Sequence, residues 1–171
     1  MAYAGRGETA LGAMLLAASG GKIVAIKFAR GGRSEGAAAD ELRRELGRAF
    51  EVVFDGERVG ALIEQVRAYI AGERKTIAAK IDVSWVTPFR REVLLATAAI
   101  PRGQVASYAE IARRAGRPQA YRAVGNTMHT NPIPVVIPCH RVVASDGGLG
   151  GFGGGPEMKR FLLRLEGAEV R

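Results

Sequence analysis

Cysteine is almost absent from this chain: there is one in 171 residues, Cys139. An internal disulfide is thereby excluded, and the expected compartment is reducing and intracellular, the cytoplasm, or the nucleus if the source is eukaryotic. Histidine is nearly as scarce, with two residues, so a zinc site would have to draw on carboxylates, and no metal-ligand spacing offers them. Neither a metal nor another cofactor is expected. Long apolar runs are missing too. The most apolar N-terminal stretch, Ala10 to Ala18, is short, follows Glu8 and leads into an apparent strand instead of a cleavage site. Neither export nor a membrane span is indicated. Acidic residues thin out along the chain: residues 1–84 hold 13 basic and 11 acidic side chains, whereas residues 85–171 hold 12 and 6, a balance of +2 against +6. An excess of positive charge suits a polyanionic partner, and equally suits arginines that merely solvate helix faces.

The chain does have enough apolar side chains, 47% of residues, to bury a core in one large domain or two small ones. Lys22 to Ala29 mixes β-branched and aromatic residues in loose alternation between Gly20-Gly21 and Gly31-Gly32, the pattern of a strand between glycine turns. Ala37 to Phe50 sets Leu42, Leu46 and Phe50 four residues apart, and Val59, Leu62, Ile63, Val66, Tyr69 and Ile70 repeat an i, i+3, i+4 spacing. Both segments are expected to be helices with one buried face. Between them, Glu51 to Phe54 reads as a short strand ended by Asp55-Gly56. Residues 1–80 thus form a small mixed α/β unit with no cluster of groups suited to chemistry, and a scaffold is the expected role.

The charged stretch from Glu73 to Thr87 is expected to be a linker that ends at Pro88, a residue suited to the first turn of a helix reaching about Ala99. Beyond Pro101-Arg102-Gly103, Ser107 is a good N-cap, with Glu110 three residues on to complete a capping box. That helix should stop at Gly116. A second opens near Pro118 and carries Tyr121, Arg122, Val124, Gly125 and Met128. Ser107 to His129 therefore reads as helix, short turn, helix, which fits a helix-turn-helix but also occurs in proteins that never meet nucleic acid. Asp146 to Gly155 holds seven glycines in ten residues, broken by Leu149 and Phe152. Such a run is either a solvated loop or a backbone that lies close to a ligand. Pro156 opens a last helix, with Phe161, Leu162 and Leu165 expected to pack inward before Glu166-Gly167.

Cys139 sits in Ile133-Pro134-Val135-Val136-Ile137-Pro138-Cys139-His140-Arg141-Val142-Val143. A thiol attacks as its thiolate, and His140 next to it is the natural proton acceptor. On an extended strand neighbouring side chains point to opposite faces, so His140 would reach the sulfur through a water. A carboxylate could orient the imidazole, and Glu166 is one of only six acids in this half. Taken one by one, these residues also fit an inert core thiol and a structural histidine. Chemistry alone leaves hydrolase, redox sensor and core residue open.

The segments Thr87-Pro88-Phe89, Gly103-Gln-Val-Ala-Ser107-Tyr108, Arg122-Ala123-Val124-Gly125-Asn126, Asn131-Pro132 and Pro138-Cys139-His140-Arg141 resemble, in order and spacing, the O6-alkylguanine-DNA alkyltransferases. The resemblance covers most of residues 82–167. It implies an α+β fold: a small N-terminal α/β, ribonuclease H-like scaffold domain over residues 1–80 and a C-terminal helical, winged-helix-like DNA-binding domain over residues 81–171. It implies direct repair of double-stranded DNA, with one irreversible transfer of the alkyl group from O6-alkylguanine to Cys139, by a monomer without a cofactor.

By the same resemblance His140 is the water-linked base, Glu166 ends the relay and Asn131 braces the turn ahead of the active-site strand. Tyr108 lies near the phosphates and donates to the departing guanine. Arg122 is the finger that fills the vacated stack, with Ala123, Gly125, Met128 and Arg141 also at the DNA. The carbonyls of Cys139 and Val142 receive the exocyclic amine, while Pro134, Met128, Phe152 and Gly153 line the pocket. The bland alternatives are a core tyrosine at position 108 and a surface arginine at 122. Two departures stand out: Phe152-Gly153 replaces the tyrosine-serine pair of many relatives, and the N-terminal domain has no cysteine for the zinc site that some relatives carry.

Overall fold

The computed structural model describes residues 1–150, 154–168 and 170. The chain divides into two compact units, Met1–Trp85 and Val86–Arg171.

The first unit is built on strands β1 (Ala2–Thr9), β2 (Gly12–Ser19), β3 (Lys22–Ala29) and β4 (Val52–Phe54), in the order β3-β2-β1-β4. Neighbouring strands are antiparallel except for β1 and β4, which are parallel. That parallel pair requires a crossover, supplied by helix α1 (Glu35–Leu46). Side chains alternate across a strand, so β1 serves two faces. Ala2 and Ala4 join Leu15, Val24, Leu42 and Leu46 in one apolar cluster. Gly5 and Gly7 lie on the opposite face, where a Cβ would come 2.7 Å from Val59 and 2.4 Å from Ile63. Helix α2 (Gly60–Ile70) can approach β1 this closely only because those residues lack side chains.

Three expectations change here. Strands β1 and β2 had no assignment because they are rich in alanine and glycine, whose strand preference is weak; pairing with neighbours decides their conformation. Helix α1 runs from 35 to 46, not from 37 to 50. Ser34 caps its start by accepting from the Ala37 N–H at 3.1 Å, and Phe50, beyond its end, meets Trp85 edge-on at 6.5 Å. The boundary lies five residues later than 80/81. Ile23 N–H donates to the Lys80 carbonyl and Asp82 N–H to the Ile23 carbonyl, each at 2.9 Å, which docks residues 80–82 along β3.

The second unit contains α3 (Pro88–Ala98), β5 (Ala106–Ser107), α4 (Tyr108–Arg114), α5 (Tyr121–His129), β6 (Val142–Val143) and α6 (Pro156–Leu165). Short strands β5 and β6 pair in parallel. Ser107 Oγ accepts from the Glu110 N–H at 3.1 Å, the serine half of the capping box, while the Glu110 carboxylate pairs with Arg114. Gly116, at φ +75°, turns the chain out of α4. Helix α5 starts at Tyr121, three residues after Pro118, and completes the helix-turn-helix. In α6 the buried residues are Met158, Lys159, Leu162 and Leu163, whereas Phe161 is exposed and Leu165 half-exposed. The inward face is therefore turned from the one expected. Among the described residues, no helix is long and apolar enough to cross a membrane.

Candidate active site

Cys139 is held by the turn that precedes it. Asn131, itself buried, donates from Nδ2 to the Ile137 carbonyl at 2.9 Å and accepts the Ile133 N–H on Oδ1 at 3.0 Å. This clamp closes residues 131–137 into a loop in which Val135 takes φ +73°. A β-branched residue rarely adopts that conformation, so the loop is strained and its surroundings over-determine it. Pro134 is half-buried at the loop's turn, in a bridge with Ile137.

Cys139–Arg141 forms a 3-10 turn, not the extended strand that the run of β-branched residues suggested; the strand starts at Val142. The turn is fixed by Arg141 N–H donating to the Pro138 carbonyl at 2.9 Å, and by Val142 N–H donating to the Cys139 carbonyl. It sends three successive side chains to separate partners. Cys139 is buried at 2% exposure and is a free thiol. Burial pushes that thiol up to about 11 from an ordinary 9.0, against the hydrogen bond of Asn131, the charge of Lys159 and the backbone N–H groups of Cys139 and His140. Thiolate is therefore scarce at neutral pH without a base.

His140 is fully buried, with Nε2 2.8 Å from Glu166 Oε1. Nδ1 is buried and has no hydrogen-bond partner among the described residues. With Nε2–H donated to the carboxylate, Nδ1 carries the bare lone pair. Burial holds the imidazole below its ordinary 6.5, opposed by Glu166 and reinforced by Arg141 and Lys159. The ring is thus neutral at physiological pH and able to accept a proton.

Arg141 is corrected from the expectation of a DNA contact. Its guanidinium is folded inward: Nε and Nη2 donate to Glu166 Oε2 and Oε1, each at 2.9 Å, and Nη1 donates to the Ile100 carbonyl at 2.5 Å. A buried carboxylate needs such a partner, because desolvation of an isolated charge costs several kcal/mol. Glu166, just past α6, is thereby shared between His140 and Arg141. Met128 is also corrected. It is 1% exposed and takes a 3.6 Å hydrogen bond from Thr97 Oγ1, so it belongs to the core under α5 and not to a DNA-facing surface. On the outer side of α5, Arg122 and Ala123 are exposed and Gly125 is half-exposed, with open space where its Cβ would be.

Tyr108 opens α4 and lies against Gly150, where a Cβ would come 2.7 Å from its hydroxyl. Gly150 thus lies close to Tyr108 by its backbone, which agrees with the close-approach reading at that position. Phe152 and Gly153 lie outside the described residues. Lys159, which sequence reasoning missed, is fully buried and donates from Nζ to the Val142 carbonyl at 2.6 Å. The signal was there to find: Lys159, Leu162, Leu163 and Glu166 share the i, i+3, i+4, i+7 spacing of one helix face, so two charged residues stand on a buried stripe. Among the described residues, no three His, Cys, Asp or Glu side chains gather as a metal site would require.

The family profile described as "6-O-methylguanine DNA methyltransferase, DNA binding domain" matches residues 88–168. A methylated-DNA–protein-cysteine methyltransferase of Salmonella typhimurium is 45% identical over 108 residues, which is 63% of this chain and 63% of that protein. Among solved structures, Mycobacterium tuberculosis OGT in complex with DNA superimposes with a TM-score of 0.78 at 32% identity, covering 96% of this chain and 92% of the other. The O6-methylguanine-DNA methyltransferase of Pyrococcus kodakaraensis gives 0.68 at 29% identity, covering 98% and 100%.

Proposed function

Since the chain belongs to the 6-O-methylguanine DNA methyltransferase family, we propose that it repairs O6-alkylguanine in double-stranded DNA by moving the alkyl group onto Cys139. The observation that carries this reading is the buried His140, next to the cysteine in sequence, whose Nε2 is tied to Glu166 while Nδ1 has no hydrogen-bond partner among the described residues.

The steps balance as follows. The thiol proton passes through one water to His140 Nδ1, which Glu166 stabilises as an imidazolium. The thiolate sulfur forms a bond to the alkyl carbon as the bond from that carbon to O6 breaks. The electron pair stays with guanine, whose ring nitrogen takes a proton from the Tyr108 hydroxyl; the proton on His140 replaces it. Cysteine and alkylguanine thus become thioether and guanine. A thioether has no hydrolytic exit, so each molecule reacts once.

A stacked base blocks in-line attack, so the nucleotide must rotate out of the duplex at a cost of a few kcal/mol. Arg122 fills the gap in this reading, supported by its exposure on the first turn of α5, with Ala123 and Gly125 offering a close approach to the minor groove. The half-exposed Pro134 and the carbonyls of Cys139 and Val142 are the pocket groups for the flipped base. The Cys139 carbonyl takes the Val142 N–H and the Val142 carbonyl takes Lys159 Nζ, and a carbonyl oxygen can accept a further donor such as the exocyclic amine. The protein acts as a monomer inside the cell, where its lone thiol stays reduced.

The decisive experiment is incubation with an O6-methylguanine duplex followed by intact mass. A gain of one methylene, lost in Cys139→Ser, is expected. No gain in a folded, DNA-binding sample would overturn the proposal, and repeated turnover would favour a cysteine hydrolase.

A further inference from the structure

Glu166 presents its carboxylate to His140 from the very end of α6, and helix ends fray because their final carbonyls lack intrahelical donors. Part of that end closes on itself. Gly167, at φ +71°, donates to the Arg164 carbonyl at 3.0 Å and Ala168 donates to the Leu163 carbonyl at 2.9 Å, a Schellman turn. The Leu165 carbonyl is served from elsewhere. Arg102, 63 positions earlier, donates to it from Nη2 at 2.9 Å, and a guanidinium there also suits the negative end of the helix dipole. The next residue, Gly103, takes φ +83°, and a Cβ on it would come 3.3 Å from the Glu166 carbonyl. The loop backbone thus passes directly against the acid.

The same turn holds the other end of the side chain. Arg141 links the Glu166 carboxylate to the Ile100 carbonyl, with Nε and Nη2 on the acid and Nη1 on the carbonyl. A glutamate is long and rotamer-rich, so its carboxylate stays in place only when both its backbone and its head are fixed. Reacting groups must be held to within about 0.5 Å by neighbours that are themselves locked. We propose that the turn at residues 100–103 positions Glu166 for the relay, with Arg102 as the positioning residue at its backbone end. Ile100 is the reference for the carboxylate end, through Arg141. The turn leads on into β5 and Tyr108, and β5 pairs with β6, which follows the turn of the nucleophile. Acid, thiol and hydroxyl therefore share one frame. The inference deepens the proposed alkyl transfer, because this relay is the one that takes the thiol proton.

The test observes the two imidazoles by 15N NMR in the protein without DNA, with His129, exposed on α5, as the internal control. In the unsubstituted chain the Nε2–H of His140, donated to Glu166, should give a downfield, slowly exchanging proton signal. Arg102→Met should lose that signal to exchange with water while His129 is unmoved. Arg102→Lys keeps a donor for the Leu165 carbonyl and should retain the signal, which a general loss of stability would not explain. A folded Arg102→Met that keeps the signal overturns the proposal. Should Arg102→Met fail to fold, Gly103→Ala pushes the loop off the Glu166 carbonyl by a smaller step. It should lose the same signal, and its retention overturns the proposal equally. These readouts involve neither DNA nor guanine, so a failure of methyl transfer would sink the alkyl-transfer reading and leave the positioning role standing. Where transfer occurs, Arg102→Met should slow it by at least about tenfold at saturating duplex, as expected when a general base loses its partner, and Arg102→Lys should recover most of the rate.

Discussion

Glu166 Oε1 stands 2.8 Å from His140 Nε2 while the same carboxylate receives two hydrogen bonds from Arg141. His140 and the residue after it are thus locked to one acid 26 positions away from His140. This pairing fixes the tautomer that leaves Nδ1 free to accept.

Glu166→Gln tests the pairing through stability and rate together. It removes the buried carboxylate that pairs with the Arg141 guanidinium, and breaking a buried pair of this kind costs about 3–5 kcal/mol. Urea unfolding should show that loss, and the methyl-transfer rate should fall by at least about tenfold, since the imidazolium loses its partner. A variant as stable as the parent would mean that the network is not structural.

His140 should make the second unit sensitive to acid. Its folded pKa is depressed below 6.5 by burial, so below that value the unfolded chain binds the proton and the folded one does not. Stability from this residue is present above about pH 6.5 and is lost as pH falls from there toward the folded pKa. Denaturant midpoints measured between about pH 7 and 5 should decline, and the slope should flatten in His140→Phe.

The turn before the nucleophile depends on Asn131. Asn131→Ala removes two hydrogen bonds and leaves the Ile133 N–H buried without its acceptor, while the Ile137 carbonyl keeps the Cys139 N–H at 2.8 Å, a loss of about 2–4 kcal/mol. With its clamp gone, the strained Val135 at φ +73° should relax, displacing Cys139. Hydrogen exchange should speed up at residues 133–139, and alkyl transfer should fall even at temperatures where the variant is folded.

Arg122→Ala separates base extrusion from chemistry. The side chain is exposed, so folding should be untouched. Transfer from an O6-methylguanine duplex should slow by at least about tenfold, because the cost of the vacated stack, a few kcal/mol, is no longer offset. Reaction with free O6-benzylguanine should keep its rate, and equal losses on both substrates would rule out the finger role.

In the first unit, Gly7→Ala should destabilise by about 1–3 kcal/mol, as overpacking does, because its Cβ would fall 2.4 Å from Ile63 Cγ2. Ile63→Val removes no clash at Cγ2, whereas Ile63→Ala does, so only the latter should recover part of the loss in a thermal melt.

The sequence by itself determined the lone cysteine, its histidine neighbour and the helix pair, because those signals are local: one cysteine, a histidine beside it, Ser107 three residues before Glu110, and glycines where helices stop. The outer position of Arg122 follows from the same helical periodicity. Strands β1 and β2 were not legible, since alanine and glycine adopt whatever conformation their sheet partners impose. Only the tertiary structure decided which charges meet. Arg141 reads on paper as a free cation in a basic half, yet the fold brings Glu166 to it and takes it out of solvent. Met128 and Phe161 exchange their expected surroundings for a similar reason, because helix spacing gives a stripe but not the rotation that buries it. Lys159 was visible as a charge on an apolar stripe, and its partner was not. A hydrogen bond between α6 and a carbonyl 17 residues earlier is a product of packing, and local pattern holds no record of it.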